Sequence, residues 1–302
     1  MYAVYHGPKG LKFIADKVHA SAVTIDEELT KLGFNQTNSA YFDTIVVKAD
    51  AKKIKALSEK NEINFYYIDN NTISISVNET TSLNDINQII SIFAESIEKT
   101  CATIKTLTDA TKIGFGIRTT SFLTHHVFNN HQSESQLMRY IKKLERKDLS
   151  LNHSMISLGS CTMKLNAAVE MLPLSMSNWN SIHPFAPIEQ AEGYQIMLKK
   201  LEEQLSTITG FAGTTLQPNS GAQGEYAGLM AIRAYHLSRG DNHRNVCLIP
   251  SSAHGTNPAS AAMAGMDIIV TKTTPEGNID VEDLRARAIE HKDNLSCLMV
   301  TY

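Results

Sequence analysis

The sequence predicts an α/β protein with a mostly parallel sheet, preceded by a small domain of α+β type. Three regions are expected: the small domain over 1–118, an arm over 119–186 and the start of a larger domain over 187–302. The parallel sheet is predicted because apolar runs of strand length alternate with helical patterns from residue 187 onward. Such alternation implies right-handed crossovers between parallel strands. The small domain is predicted because its elements follow the order helix, strand, helix, hairpin, helix.

The small domain begins with a long helical pattern. Apolar residues recur at spacings of three and four from Leu11 to Leu32, and Gly33 follows where a helix commonly ends. The later elements are a strand over 41–49, a short helix over 50–61, a hairpin over 64–78 and a helix from Ser82. Asp50 and Ser82 are the predicted N-caps, because their side chains can accept hydrogen bonds from free amides of the first turn.

The arm over 119–186 contains a basic amphipathic helix, predicted over 134–148. Its lysine and arginine side chains could contact an acidic partner. A basic face of this kind is more often simply solvated, and the solvated interpretation is favoured. The boundary ahead of the arm is placed where glycine and threonine interrupt the periodicity, over 114–126.

The larger domain is predicted to alternate between helices and strands. Pro187 begins a helix that ends at Gly210, and residues 214–240 hold a short strand, a turn of small residues and a helix. Further strands are predicted over 245–250, 266–273 and 295–302, with helices over 256–265 and after Asp280. Ligands of parallel sheets bind at the carboxyl ends of the strands, and the turn of small residues is expected to lie there.

The composition limits the classes of function. A net charge of −3 creates no global field that would attract nucleic acid or an anionic membrane. No run of about 18 apolar residues predicts a transmembrane helix. The four cysteines form no CxxC pair, which argues against a zinc site and a disulfide scaffold and suits a reducing compartment. They are Cys101, Cys161, Cys247 and Cys297.

The turn of small residues is a candidate phosphate site. Ser220, Gly221 and Ala222 are expected at a helix N-terminus, where amide groups lack intrahelical partners and the helix dipole adds partial positive charge. Small side chains let an anion approach, and Ser220 can add a hydroxyl donor. The alternative is structural: Gly221 and Gly224 would merely permit tight packing of the helix on the sheet. The sequence leaves both interpretations open.

A histidine follows at the same predicted edge of the sheet. His254 lies in a loop of small residues, so its own segment offers its ring little to pack against. A lone histidine is more often a structural residue. Its position beside a candidate phosphate site favours an imidazole that stacks on a flat ring. A phosphate that carries an aromatic ring suggests pyridoxal phosphate.

The stretch SLGSCTMKLN, residues 157–166, is a third candidate. Ser160, Cys161 and Thr162 offer several short donors, which suit a carboxylate or an oxyanion. Covalent catalysis by Cys161 is not favoured, because the sequence assigns it neither a helix N-terminus nor a His–Asp pair. Lys164 has the chemistry of a Schiff-base lysine, but nothing indicates that it is desolvated.

Four stretches together resemble the P-protein family of the glycine cleavage system. They are SLGSCTMKLN (157–166), HPFAPIEQAEGYQ (183–195), QPNSGAQGEYAGL (217–229) and IPSSAHGTNPASAAMAGM (249–266). The resemblance extends over most of 121–302, while the first residues of the chain are similar to the end of the family's N-terminal half. The strand pattern at 295–302 also stops without a following connection. The chain is therefore expected to be an internal fragment that spans the junction of the two halves.

The resemblance implies the fold-type I architecture of pyridoxal 5′-phosphate enzymes. It implies that Ser220, Gly221 and Ala222 bind the cofactor phosphate and that His254 stacks on the pyridine ring. The segment with Ser160, Cys161 and Thr162 would line the glycine site.

The implied reaction is the oxidative decarboxylation of glycine, with transfer of the aminomethyl group to the lipoyl arm of H-protein. H-protein and the other glycine cleavage components are the implied partners, the assembly a homodimer, and nucleic acid, membrane and metal are not expected. The bacterial cytoplasm is the preferred compartment, or the mitochondrial matrix for a eukaryotic source.

One departure from the family pattern concerns catalysis. The family's Schiff-base lysine and the aspartate that pairs with the pyridine nitrogen would lie beyond Tyr302, and Lys272 falls outside the lysine motif. The chain alone is therefore expected to be inactive. A non-catalytic subunit of the same fold is an alternative. A sugar-phosphate or nucleotide enzyme would need acidic metal ligands near the turn, and Glu225 alone supports that poorly.

Overall fold

The computed structural model describes residues 1–109, 118–147 and 167–300. Contacts divide the chain into two compact units, Met1–Ile156 and Ser157–Tyr302. Each unit has its own hydrophobic core and is described by itself. The finer domain boundaries at 118 and 186 stay predictions.

The first unit begins with the predicted long helix, α1, which spans Tyr2–Leu32. The helix starts nine residues before Leu11, the first residue of the predicted apolar pattern. It is kinked at Gly7, where φ is 62°. A Cβ at Gly7 would lie 2.7 Å from the carbonyl oxygen of Phe128, so only glycine lets the backbone at Phe128 approach the helix this closely. The helix ends at Gly33 with φ 101°, and the amide of Gly33 donates to the Thr30 carbonyl. The predicted end of the helix is confirmed.

The remaining elements of the first unit build a four-stranded antiparallel sheet with helices. In chain order they are β1 (Asn35–Gln36), β2 (Thr44–Lys48), α2 (Ala51–Lys60), β3 (Tyr66–Asp69), β4 (Thr72–Ser76), α3 (Leu83–Ser96) and α4 (Glu134–Glu145). The strand order is β1-β2-β4-β3, so the predicted hairpin forms the β3–β4 edge. This arrangement is of the α+β type that the sequence predicts.

Local sequence signals explain where two of these helices begin. The Asp50 side chain accepts a hydrogen bond from the Lys53 amide at 3.0 Å. Ser82 and Asp85 form a reciprocal capping box, since each side chain accepts from the other residue's amide. A cap of this kind contributes about 1 kcal/mol, which is enough to fix a helix start. Both predicted N-caps are confirmed.

The core of the first unit lies between the sheet and helices α1 and α3. Ile25, Ile73 and Phe93 are fully buried in it. The ring of Phe93 meets that of Phe34 edge to face, with centroids 5.1 Å apart. Each such side chain contributes about 1.5–3 kcal/mol on burial, so this core is a main source of stabilisation for the unit.

The second unit alternates helices and strands as predicted. Its elements are α5 (Ala168–Met171), α6 (Ser177–Asn180), α7 (Glu192–Thr209), α8 (Gly221–Ser238), β5 (Val246–Pro250), α9 (Thr256–Met263), β6 (Asp267–Thr271), α10 (Val281–Glu290) and β7 (Leu295–Leu298). The strand order is β6-β5-β7, and both pairings are parallel. The central strand β5 is buried along its whole length. The prediction of a parallel sheet crossed by helices is confirmed.

Two local predictions in this unit are wrong. Pro187 precedes a single 3₁₀ turn over Ile188–Gln190, and α7 begins only at Glu192. The short strand expected after residue 214 does not form, since the stretch before Ser220 pairs with no strand in the described part of the chain. Pro218 lacks an amide hydrogen there, which removes one donor from any ladder.

The core of the second unit joins α8 and α9 to the sheet. Its buried members include Leu229 of α8, Cys247 and Ile249 of β5, and Ala261 of α9. This packing fixes the two helices on the face of β5. Within the described residues, no helix combines the length and the apolar character that crossing a membrane requires.

Candidate functional site

The loops that follow the parallel strands meet at the carboxyl edge of the sheet. The Ser251 amide, just after β5, donates to the carbonyl of Thr271, the last residue of β6, at 2.8 Å. The hydroxyls of Ser251 and Thr273 lie 3.0 Å apart. Thr271 is itself fully buried, and its hydroxyl has no partner among the described residues. This polar edge is where ligands of parallel sheets bind.

Helices α8 and α9 run in the same direction. The Ser260 hydroxyl of α9 donates to Glu225 Oε2 of α8 at 3.2 Å. Farther along α8, the Arg233 guanidinium donates at 3.1 Å to the carbonyl of Gly265, which lies just beyond the end of α9. Because the two contacts follow the same order along each helix, the two N-termini lie at the same end.

That end is the carboxyl edge of the sheet. His236, near the end of α8, donates from Nε2 to the carbonyl of Ser296, near the start of β7, at 3.2 Å. The C-terminus of α8 therefore lies at the amino edge and its N-terminus at the carboxyl edge. Helix α9 begins there as well, because its preceding loop starts at Pro250, the carboxyl end of β5. The structure thus brings Ser220, Gly221, Ala222 and His254 to one edge of the sheet.

Ser220 caps α8 and leaves two amides free. Its Oγ accepts from the Gln223 amide at 3.3 Å, and the Gln223 side chain accepts from the Asn219 amide at 2.7 Å. The Ser220 hydroxyl hydrogen remains able to donate to another group. In the described part of the chain, the amides of Gly221 and Ala222 have no acceptor. Three donors thus stand at the positive end of an 18-residue helix.

The space beside the first turn of α8 is open. A Cβ added at Gly221 or at Gly224 would meet no described atom within 4 Å. Tight packing of the helix within the described residues therefore does not require glycine at these positions. Both interpretations of these glycines stay predictions.

His254 is exposed and held from one side of its ring. The Thr256 amide donates to Nδ1 at 3.2 Å, and the Thr256 hydroxyl lies 2.6 Å from the same nitrogen. The backbone of His254 is fixed as well, because its carbonyl accepts from the amide of the buried Asn257 at 2.9 Å. The rest of the imidazole is left available for a ligand.

Lys272 is not a desolvated amine in this structure. Its amide donates to Asp283 Oδ2 at 2.9 Å, and its ammonium lies 4.0 Å from Asp283 Oδ1. The side chain is 73% exposed. An exposed ion pair of this kind does not activate a lysine as a nucleophile.

Two cysteines that are distant in sequence meet inside the sheet. Cys247 of β5 pairs in register with Cys297 of β7. The hydrogen bond with the Cys297 thiol, together with burial, raises the pKa of Cys247, so the thiol stays protonated. Cys247 therefore behaves as a core residue and not as a nucleophile.

Some predicted positions fall outside the described residues. Ser160, Cys161, Thr162 and Lys164 lie in the gap between 147 and 167, so their roles stay predictions. In the ranges that are described, no group of three His, Cys, Asp or Glu side chains could hold a metal ion.

Sequence reasoning missed two contacts at this edge. Thr256 and the Glu225–Ser260 bond were not singled out. The spacing His-x-Thr was the one local signal for the first. The second joins residues 35 positions apart, and no local pattern indicates it.

Comparison with known proteins extends over the whole chain. A sequence profile described as "Glycine cleavage system P-protein" matches residues 1–93. The chain is 80% identical to a glycine dehydrogenase (decarboxylating) from Flavobacterium johnsoniae, covering 100% of the chain and 32% of the relative. It is 68% identical to the protein of the same name from Christiangramia forsetii, with the same coverage. A mitochondrial relative from Solanum tuberosum is 54% identical, over 100% of the chain and 30% of its own length.

The chain thus spans about a third of the length of the curated relatives it matches. Because the alignment covers 100% of the chain, the similarity to these relatives includes both units of the structure and not only the four quoted motifs. Over its whole length the chain is similar to glycine dehydrogenases (decarboxylating), and residues 1–93 match the profile of the glycine cleavage system P-protein.

Proposed function

We propose that this chain supplies the phosphate-binding helix end and the ring-stacking histidine of a pyridoxal phosphate-dependent glycine dehydrogenase (decarboxylating). The observation that carries the proposal is the shared position of the α8 N-terminus and His254 at the carboxyl edge of the parallel sheet. The name of the relatives, glycine dehydrogenase (decarboxylating), supplies the reaction.

The residues at the α8 N-terminus fit a phosphate monoester. The amides of Gly221 and Ala222 are free, the Ser220 hydroxyl can donate, and the space beside Gly221 is open. A hydrogen bond to a charged group is worth about 1.5–3 kcal/mol, and the helix dipole adds about 0.3–1 kcal/mol. These donors suffice to orient a phosphate and do not need a basic side chain.

His254 fits the role of a platform for the cofactor ring. Its imidazole is exposed, while Thr256 holds one nitrogen and Asn257 holds the adjacent backbone. A flat side chain held in this way orients an aromatic ligand and excludes water from the face it covers. When bound, pyridoxal phosphate would supply the electron sink for loss of carbon dioxide from glycine.

The proposal for the whole protein follows the family. It would adopt the fold-type I architecture, decarboxylate glycine oxidatively and transfer the aminomethyl group to the lipoyl arm of H-protein. Ser160, Cys161 and Thr162 would line the glycine site, and the Schiff-base lysine would lie outside 1–302. We further propose a homodimer that works with the other glycine cleavage components, in the bacterial cytoplasm or, for a eukaryotic source, in the mitochondrial matrix.

A chimera tests the proposed function. Residues 1–302 would replace the matching segment of the Flavobacterium johnsoniae relative, which is 80% identical over that segment. Exchange of labelled bicarbonate with glycine, dependent on lipoylated H-protein, would then be measured. The proposal expects exchange at the rate of the parent enzyme within a few-fold.

The chimera with His254→Ala is the matched control and should lose most of the exchange. A folded chimera that binds no pyridoxal phosphate and shows no exchange would overturn the proposal. That result would instead support a non-catalytic subunit of the same fold.

A further inference from the structure

The contact between Thr256 and His254 has a chemical consequence for the imidazole. Two groups of Thr256 approach the same ring nitrogen: the amide lies 3.2 Å and the hydroxyl 2.6 Å from His254 Nδ1. The two residues are separated only by Gly255 and stand at the start of α9. The side chain of His254 is exposed, and within the described residues Thr256 supplies the hydrogen-bond contacts to its ring.

The two contacts from Thr256 together determine which nitrogen carries the hydrogen. An amide N–H can only donate, so the nitrogen that it faces must accept. Nδ1 is then unprotonated, and the hydrogen of the imidazole lies on Nε2. The Thr256 hydroxyl has a free hydrogen and can donate to Nδ1 as well. The opposite tautomer would place two N–H groups face to face.

We propose that Thr256 is a positioning residue that fixes the orientation and the tautomer of His254. It holds Nδ1 as an acceptor and leaves Nε2–H as a donor at the exposed rim of the ring. That donor suits an anionic oxygen, such as the carboxylate of an amino acid. The tautomer follows from the contacts alone, whereas its role beside a cofactor ring rests on the proposed function.

The hydroxyl and the amide make separable contributions. The amide stays in every variant, whereas the hydroxyl is removed in Thr256→Val and kept in Thr256→Ser. A hydrogen bond of this kind is worth about 0.5–1.5 kcal/mol, so its loss lowers the ratio of held to free ring about two- to tenfold. Valine keeps the branched shape of threonine, so packing at the start of α9 is preserved.

Nitrogen NMR of the histidine rings tests the proposal on the 302-residue chain. Uniformly ¹⁵N-labelled protein would be compared with Thr256→Val and Thr256→Ser, and His254→Ala would assign the signals. We expect His254 to carry its hydrogen on Nε2 in the parent chain and in Thr256→Ser. In Thr256→Val the two nitrogen shifts should move toward those of a freely exchanging imidazole. His236, which donates from Nε2 to Ser296, should not change and reports that the unit stays folded.

A hydrogen found on Nδ1 of His254 in the parent chain would overturn the proposal. Identical His254 spectra in the parent and in Thr256→Val would do the same. Pyridoxal phosphate affinity of the chimera gives a second readout: Thr256→Val should weaken it about two- to tenfold, and Thr256→Ser should restore it.

The two measurements separate the inference from the proposed function. If NMR shows the hydrogen fixed on Nε2 but the chimera binds no pyridoxal phosphate, the positioning role of Thr256 stands and the proposed function is wrong. If the chimera binds pyridoxal phosphate but the tautomer is not fixed, only the positioning role of Thr256 is wrong.

Discussion

Gly221 presents its amide to open space at the first turn of α8. Substitution by valine adds a branched side chain on the path of a phosphate while disturbing no described neighbour. We expect Gly221→Val to weaken pyridoxal phosphate binding by the chimera at least tenfold, because one charged hydrogen bond is worth about 1.5–3 kcal/mol. Stability should change by no more than about 0.5 kcal/mol. Fluorescence titration and urea denaturation measure the two quantities.

Gly228 provides the matched control for this substitution. It lies on the same helix, seven positions farther on, and an added Cβ there also meets nothing within 4 Å. Gly228→Val should leave cofactor affinity unchanged. Equal losses in the two variants would show that the effect comes from the helix as a whole and not from its N-terminus.

Two neighbouring side chains of helix α8 differ in burial, and we expect their substitutions to differ in their effect on stability. Leu229 is 3% exposed against β5, whereas Met230 is 40% exposed. Leu229→Ala should cost about 2–5 kcal/mol of unfolding free energy, because the cavity it leaves is lined by the core of the unit. Met230→Ala should cost less than about 1 kcal/mol.

The fluorescence of Trp179, the one tryptophan of the sequence, follows unfolding of this unit in urea. If Met230→Ala proved the more damaging substitution, the orientation of α8 on the sheet would be wrong. Both residues are good helix formers, so helix propensity does not account for a difference between them.

The contact between α1 and the segment before β2 should make the stability of the first unit depend on alkaline pH. The Tyr41 hydroxyl donates to Asp26 at 2.6 Å, and burial followed by this bond raises the pKa of Tyr41 well above its ordinary value. Because the folded pKa is raised, this stabilisation is complete below the unfolded pKa of about 10 and is lost as pH rises beyond it. The first unit should therefore lose stability above about pH 10, with little change from this group below it.

Tyr41→Phe should flatten that alkaline loss, as measured by hydrogen exchange of the core amides of α1 at a series of pH values. Tyr66→Phe, at a tyrosine that is 71% exposed, is the control and should leave the slope as it is. An unchanged slope in Tyr41→Phe would place the alkaline transition at another group. Tyr67 is the next candidate, because burial also raises its pKa.

Elements with local signals could be predicted from the sequence, and those that depend on distant partners could not. The caps Asp50 and Ser82 lie where the sequence predicts them, and the helix expected after Asp280 begins at Val281, because a cap needs only its own first turn. The strand expected after residue 214 fails, because a strand needs a neighbour to pair with. The Glu225–Ser260 bond was missed for the same reason, since it depends on how two helices pack.

At the scale of the whole molecule, the candidate site is a product of topology. Residues 220 and 254 lie at the same edge of the sheet because parallel strands place their carboxyl ends together and crossover helices begin there. The sequence predicts this shared edge from the alternation of elements alone. It does not predict the open space beside Gly221 or the contact of Thr256 with the His254 ring, because both depend on how the folded segments are placed in space.

A structure of the chimera with pyridoxal phosphate bound tests the central claim most directly. The account predicts phosphate oxygens about 3 Å from the Ser220 hydroxyl and from the amides of Gly221 and Ala222. It also predicts that the imidazole of His254 lies parallel to the pyridine ring and in contact with it. A phosphate held away from the α8 N-terminus, with His254 turned away from the ring, would contradict the account.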